Sequence, residues 1–351
     1  MLRWLLLPLL VVAGCSVFTF PEVKTNNVVK LDGPLEGRFT AAMTANLETG
    51  ALKLQTLDGS DAATNSLKIA IIEVDGMMLN QNATGLFSQN ENPVSLFHEK
   101  LLRAQKDPTV RGVLLRLNSP GGSVSATDMM WRELVAFKKT TNKPVVACLM
   151  DVATGGAYYL ATACDVIVAH PGTMAGGIGV VMNLYNLQDL MAQFNVVPQT
   201  IKSGQMIDMG TMQASMTTET RTLLQSMADE YHEQFKQAVK QGRKSGTNVE
   251  TAFDGRVVSA RQAHQLGLID QVGYLDDALQ QLRNLAKAPQ AETVMLRRPN
   301  DPARSPYATS PNAPITSLVP VSIPGIDRSK LPTFLYAWQP DPGLERLGGK
   351  Q

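Results

Sequence analysis

Apolar residues along this chain fall into short dense runs that alternate with longer, helix-spaced stretches. Lys68 to Val74 is a β-branched apolar run that reads as a buried strand, and Val110 to Leu117 is a second. Val94 to Gln105 between them reads as a helix. Ser125 to Lys139 predicts another helix, entered through Pro120 and two glycines. Pro144 to Met150 follows as a third strand, Gly156 to Ala163 as a short helix and Val166 to Ala169 as a fourth strand. Leu184 to Phe194 is expected to be helical, and Val196 to Ile201 a further strand. Thr217 to Lys240 predicts a long helix with Thr217 or Thr218 as N-cap. Ala260 to Leu266 and Asp276 to Ala286 complete the helical part. Strands alternating with helices imply an α/β fold with a mostly parallel sheet and crossover helices.

The two ends differ from this middle. Arg3 precedes an apolar run from Trp4 to Val12, and Ala13-Gly14-Cys15 follows it, the layout of an export signal. Residues 16–66 are polar, with short alternating pieces such as Leu52 to Leu57, and read as a tether with a few strands. The segment from Arg297 to Gln351 holds about half of the prolines. Arg297-Arg298-Pro299 and Ser310-Pro311-Asn312-Ala313-Pro314 argue against helix or inner strand there, so an extended or disordered arm is expected. Within it, Thr333 to Trp338 is apolar and is expected to dock either on a neighbour or back on its own domain.

Composition narrows the function classes. With 351 residues, 44% hydrophobic and 18% charged, the chain is long enough for a full core. A net charge of +1 without like-charge runs argues against nucleic acid as the main ligand. No internal stretch approaches the ~20 apolar residues of a membrane span. Cys148 and Cys164 lie in apolar segments and read as buried free thiols, although pairing is open to them in an oxidising compartment. His98, His170, His232 and His264 are scattered, so no metal site and no cofactor is expected.

Four glycine-bearing blocks carry the candidate chemistry. They are Leu117 to Val124 with Pro120-Gly121-Gly122-Ser123, Asp151 to Asp165 with Thr154-Gly155-Gly156-Ala157-Tyr158-Tyr159, Gly172 to Val180 with Gly176-Gly177, and Ile201 to Gly210 with Lys202-Ser203-Gly204. A fifth is Asp254-Gly255-Arg256-Val257, with Ala263 to Gly273. In order and spacing over residues 67–285 these blocks resemble the signal peptide peptidase A (protease IV, S49 peptidase) family. The resemblance implies the ClpP/crotonase-like superfold. It divides the chain into a signal peptide over 1–15, a tether over 16–66, a peptidase-like domain over 67–290 and a proline-rich arm over 291–351. Val12-Ala13-Gly14-Cys15 also resembles the bacterial lipobox, which implies lipidation at Cys15 and a lipid-anchored protein of the bacterial envelope facing the periplasm, with Ser16 favouring the outer membrane.

The family implies a serine nucleophile activated by a neutral lysine, and backbone amides of a glycine turn that hold the oxyanion. Anchored on Tyr158-Tyr159 and Asp165, the nucleophile position is Gly155, and the general-base position is Ile207. Glycine has no nucleophile and isoleucine no lone pair, so hydrolysis is expected to be lost by several orders of magnitude. Thr154, Lys202 and Ser123 are the fallback candidates for a displaced catalytic group. Gly121, Gly122, Gly176 and Gly177 retain what a peptide-binding groove needs, close backbone approach and an open strand edge. Three readings stand: a catalytically degenerate peptide-binding lipoprotein, an active envelope peptidase with a displaced nucleophile, and a structural component of the subunit ring that the resemblance implies, alone or with an active paralogue.

Overall fold

The structure, a computed structural model, describes residues 50–57, 66–82, 91–243, 248–298, 305–309 and 333–338. The expected signal and lipidation site at Cys15, most of the tether and residues 310–332 of the arm lie outside the described residues.

Strand β2 (Lys68–Asp75) is buried along nearly its whole length, as its unbroken apolar run predicts. Ile69 and Ile71 face one side of the sheet while Ala70, Ile72 and Val74 face the other, the period of two that a strand covered on both faces requires. β3 (Val110–Ser119) and β5 (Val145–Thr154) pair parallel beside it, and β6 (Val166–Ala169) pairs parallel with β5. Helix α1 (Pro93–Lys106) connects β2 to β3, and α2 (Val124–Thr141) connects β3 to β5. Their apolar sides pack on one face of the sheet through Phe97, Leu101, Met130, Leu134 and Phe137. Helix α7 (Leu275–Leu285) covers the other face with Leu275, Leu279 and Leu282 over Ile69, Ile71, Leu114 and Val146. The observed architecture is the expected α/β type with a mostly parallel sheet.

The sheet reaches past residues 67–290 at both ends. β1 (Lys53–Thr56) comes from the segment read as a tether, and β10 (Glu292–Arg297) from the start of the arm. β10 is an inner strand, antiparallel to β1 and parallel to β2. This corrects the expectation that Arg297 could not belong to one. Pro299 lies beyond the last paired residue, so it removes no ladder hydrogen bond. The Arg297 side chain is buried beside Glu73, 3.5 Å away, and Lys100 Nζ lies 2.7 Å from the same carboxylate oxygen.

The arginines also hold the next stretch of chain. Arg297 donates to the carbonyls of Ala308 and Thr309, at 2.6 and 3.0 Å. Arg116, paired with Asp75 at 2.9 Å, donates to the carbonyls of Pro306 and Ala308. Residues 306–309 are thus clamped to the body by two guanidinium groups.

Two further expectations are corrected. The helix expected over Leu184 to Phe194 is reduced to α4 (Gln188–Gln193), and Val196 to Ile201 forms no strand. Val196, Val197 and Ile201 are exposed and have no ladder partner, and β-branched composition without a partner does not make a strand. Helix α5 (Thr218–Gly242) is capped by Thr217, whose Oγ1 accepts from Thr220 N–H. Among the described residues no helix is long and apolar enough to cross a membrane.

Cys148 and Cys164 are free and buried, and burial pushes both thiols up to about 12. Neither should alkylate at mildly alkaline pH in the folded chain, and both should alkylate in guanidinium, as read by peptide mass. Labelling of either thiol in the native chain would contradict this burial.

Candidate functional site

The site is built where β3 and β5 leave the sheet. After Ser119 the chain turns at Pro120 into β4 (Gly121–Ser123), which leads into α2 with Ser123 as N-cap. The Ser123 hydroxyl accepts from Ala126 N–H at 3.3 Å, so it is engaged at the helix start. The buried Ser119 Oγ accepts from Gly121 N–H at 3.1 Å and fixes the turn.

β5 continues past its pairing with β6 and meets β7 (Met174–Gly176) through Val152, Ala153 and Thr154. β7 pairs on its other side with β8 (Val257–Ser259). At Gly155 the strand turns sharply into helix α3 (Gly156–Ala161). Gly155 has φ +52° and ψ −122°, a conformation that residues with a side chain reach only under strain. Its N–H donates to the Gly176 carbonyl at 2.9 Å. Gly177 packs against Gly155 and Thr154 and donates to the Arg256 carbonyl. Thr154 is fully buried, and its hydroxyl donates to the Pro120 carbonyl at 3.2 Å.

Gly121, Gly122, Thr154, Gly155, Gly176 and Gly177 therefore lie together. Ile207 and Lys202 do not join them. Ile207 is 73% exposed in the segment after α4. Lys202 Nζ bonds locally, to both carboxylate oxygens of Asp208 at 3.0 Å and to the Gln205 carbonyl. That hydrogen bond holds the Asp208 carboxyl below its usual range.

The groove above the elbow is filled by the chain's own arm. β11 (Leu335–Ala337) pairs antiparallel with β4, Tyr336 opposite Gly122 and Ala337 opposite Gly121. Val124 N–H donates to the Phe334 carbonyl at 3.2 Å, and Trp338 N–H to the Pro120 carbonyl at 3.1 Å. On its other edge Leu335 exchanges both backbone hydrogen bonds with Val181, at 2.8 and 3.0 Å. The segment thus lies as an added strand between the glycine turn and the chain after Gly177. Its fit depends on bare backbone. A Cβ on Gly155 would lie 2.3 Å from the Tyr336 oxygen and 2.6 Å from its carbonyl carbon. A Cβ on Gly121 would lie 1.9 Å from the same oxygen. In this chain the arm docks on its own domain, one of the two alternatives its apolar composition left open.

A family profile described as Peptidase family S49 matches residues 137–289, a span that contains the elbow and β7. A putative signal peptide peptidase SppA of Enterococcus faecium is 32% identical over 235 residues, covering 67% of this chain and 68% of that relative. The chain belongs to the S49 peptidase family. The putative protease MJ0651 of Methanocaldococcus jannaschii is 35% identical over 211 residues, covering 60% of this S49 chain and 67% of the relative. Among solved structures, a membrane-bound stomatin-specific protease, 1510-N, aligns with 14% identity and a TM-score of 0.41, over 66% of this chain and 98% of that one.

The residues that sequence reasoning missed are aromatic. Tyr336 is fully buried, and Tyr159, Phe235 and Tyr231 surround it. In the sequence the adjoining pair Tyr158-Tyr159 marks only the register of the elbow. Tyr158 is structural, since its hydroxyl donates to the Leu268 carbonyl at 2.8 Å. Tyr159 faces the groove, and its importance was open to discovery only through the ring stacked on it.

Proposed function

We propose that this chain is a catalytically silent S49 family member that captures extended peptide segments by strand addition at the bacterial cell envelope. One observation carries this reading: a peptide segment lies on the strand-to-helix elbow, and its carbonyl carbon comes within 2.6 Å of where the elbow residue's first side-chain atom would stand. Gly155 offers no group to attack that carbonyl, and a side chain there would overlap the segment. Backbone pairing to β4 and Val181 needs no side-chain chemistry and survives the loss of a nucleophile. Lipidation at Cys15 and a periplasmic orientation, with the outer membrane favoured, belong to the same proposal.

The displaced-nucleophile alternative is weaker on geometry. Thr154 sits in β5 with its hydroxyl already given to Pro120, and Lys202 is tied to Asp208. Purified chain is expected to leave unfolded proteins and signal peptides uncut. Thr154→Ala should leave that null result in place and lower stability by about 1 kcal/mol for one lost hydrogen bond. Hydrolysis by the native chain that vanishes in Thr154→Ala would overturn the proposal.

Assembly is a second reading, supported by exposed apolar residues. Phe194, Val197, Ile201 and Ile207 are all more than 70% exposed within one short stretch. Scattered apolar side chains are ordinary on a surface, but a cluster of this kind marks an interface. The occupant we propose is a further copy of the chain, as in the ring that the family resemblance implies. Light scattering should then show an oligomer that Ile201→Asp with Val197→Asp dissociates. A monomer at all accessible concentrations would dismiss this reading.

A further inference from the structure

The ring of Tyr336 enters a closed pocket between α3 and α5. It stacks on Tyr159 with centroids 5.3 Å apart and planes 18° apart, and lies against Phe235 at 4.9 Å. Phe235 and Trp131 in turn pack edge-on to Tyr159. The Tyr336 hydroxyl donates to the Tyr231 carbonyl at 2.7 Å, so the pocket has an acceptor at its far end. Asp128 stands nearby and accepts from the Tyr159 hydroxyl and from Gln234, each at 3.0 Å. These surroundings are apolar on the ring faces and electronegative at the tip. They hold the Tyr336 phenol above its usual range, first through burial and then through Tyr159, Asp128 and Tyr231. A residue in a terminal arm is thereby buried as completely as the core.

We propose that this pocket is a recognition site for one neutral aromatic side chain of an extended peptide, that Tyr336 is its resident occupant, and that acidic or phosphorylated residues are excluded. The proposal rests on reading the groove as a peptide site. Its chemistry follows from the walls. A flat ring satisfies the stacking geometry set by Tyr159 and Phe235, and a phenol also satisfies the Tyr231 carbonyl. A carboxylate would be desolvated beside a carbonyl and Asp128, and no cation acts on the Tyr336 hydroxyl among the described residues. A phosphotyrosine would bring about two negative charges to the same place. A lysine would have to bring its ammonium between apolar ring faces, stripped of water, to reach Asp128, whose Oδ1 already accepts two hydrogen bonds.

The test uses the full chain carrying Tyr336→Ala and labelled peptides of sequence Thr-Phe-Leu-X-Ala-Trp, with binding read by anisotropy. Peptides with X as tyrosine or phenylalanine should bind. The alanine peptide should bind about thirtyfold more weakly, the change expected for one buried ring. Glutamate, phosphotyrosine and lysine peptides should not bind measurably. If the alanine or charged peptides bind as tightly as the tyrosine peptide, the pocket proposal fails while the groove reading stands. If no peptide binds to a folded Tyr336→Ala chain even above the millimolar effective concentration of its tethered arm, both fail. The wild-type chain gives the same comparison should that variant not fold. Excess tyrosine peptide should then expose the resident strand to protease, while the glutamate and phosphotyrosine peptides should not; equal exposure by all three would overturn the proposal.

Discussion

Gly155→Ser is expected to drive the arm out of the groove. The added Cβ would stand 2.3 Å from the Tyr336 oxygen and 2.9 Å from the Ala337 Cα, and both are backbone-borne atoms that cannot swing aside. A side chain at φ +52° adds about 1–3 kcal/mol of backbone strain. The body has its own sheet and core, so the arm yields before the body does. Limited proteolysis should cut near Leu335 to Trp338 at least about tenfold faster than in the native chain, a change of about 1.4 kcal/mol in the docking equilibrium. Helical circular dichroism should stay unchanged. Unaltered protection of the arm would show that the strand is not seated on Gly155. Serine alone should restore no hydrolysis, because it has no lysine partner. Gly155→Ser with Ile207→Lys is the informative double variant. Residue 207 is exposed, so on the proposed assembly, in which one copy completes another's site, any regained rate per subunit should rise with protein concentration.

Glu73→Leu should cost the fold most. Its carboxylate lies between Lys100 and Arg297, and all three side chains are at most 2% exposed. Removing this carboxylate takes the shared partner from two buried cations, which costs about 3–5 kcal/mol. At about 2–4 °C per kcal/mol for a domain of this size, the melting temperature should fall by roughly 6–20 °C. Glu73→Leu combined with Lys100→Met should recover part of that loss, since one of the two cations goes with it and Arg297 keeps the Ala308 and Thr309 carbonyls. If the single variant melts within about 2 °C of the native chain, the group is not the buried ionic centre its geometry indicates.

How far the fold can be read from the sequence depends on how locally each element is determined. β2, β3 and α2 are written in continuous apolar runs or helical spacing, because burial on both faces, or along one stripe, leaves a pattern within a few residues. Val196 to Ile201 shows the limit. Its residues favour strand, yet nothing among the described residues pairs with them, and pairing is a property of the partner. β4 and β11 show the converse. Each is three residues long, and more than two hundred residues separate them, so no local signal announces their ladder. Motif order pointed to the glycine turn, the elbow and Gly176-Gly177, and these lie together. It could not reveal that the arm supplies Tyr336 to an aromatic pocket. That contact depends on ring geometry between α3, α5 and a distant tail.

The clamp on residues 306–309 gives the groove a threshold. Arg116 and Arg297 fix the near end of the arm, and residues 310–332 join it to the strand lying over the elbow. A segment leashed in this way competes at an effective concentration on the order of millimolar. On the peptide-binding reading proposed above, a visitor of modest affinity is outcompeted, and only a tight or abundant one gains entry. On that reading, adding residues between 309 and 333 should lower the threshold without altering a single contact inside the groove.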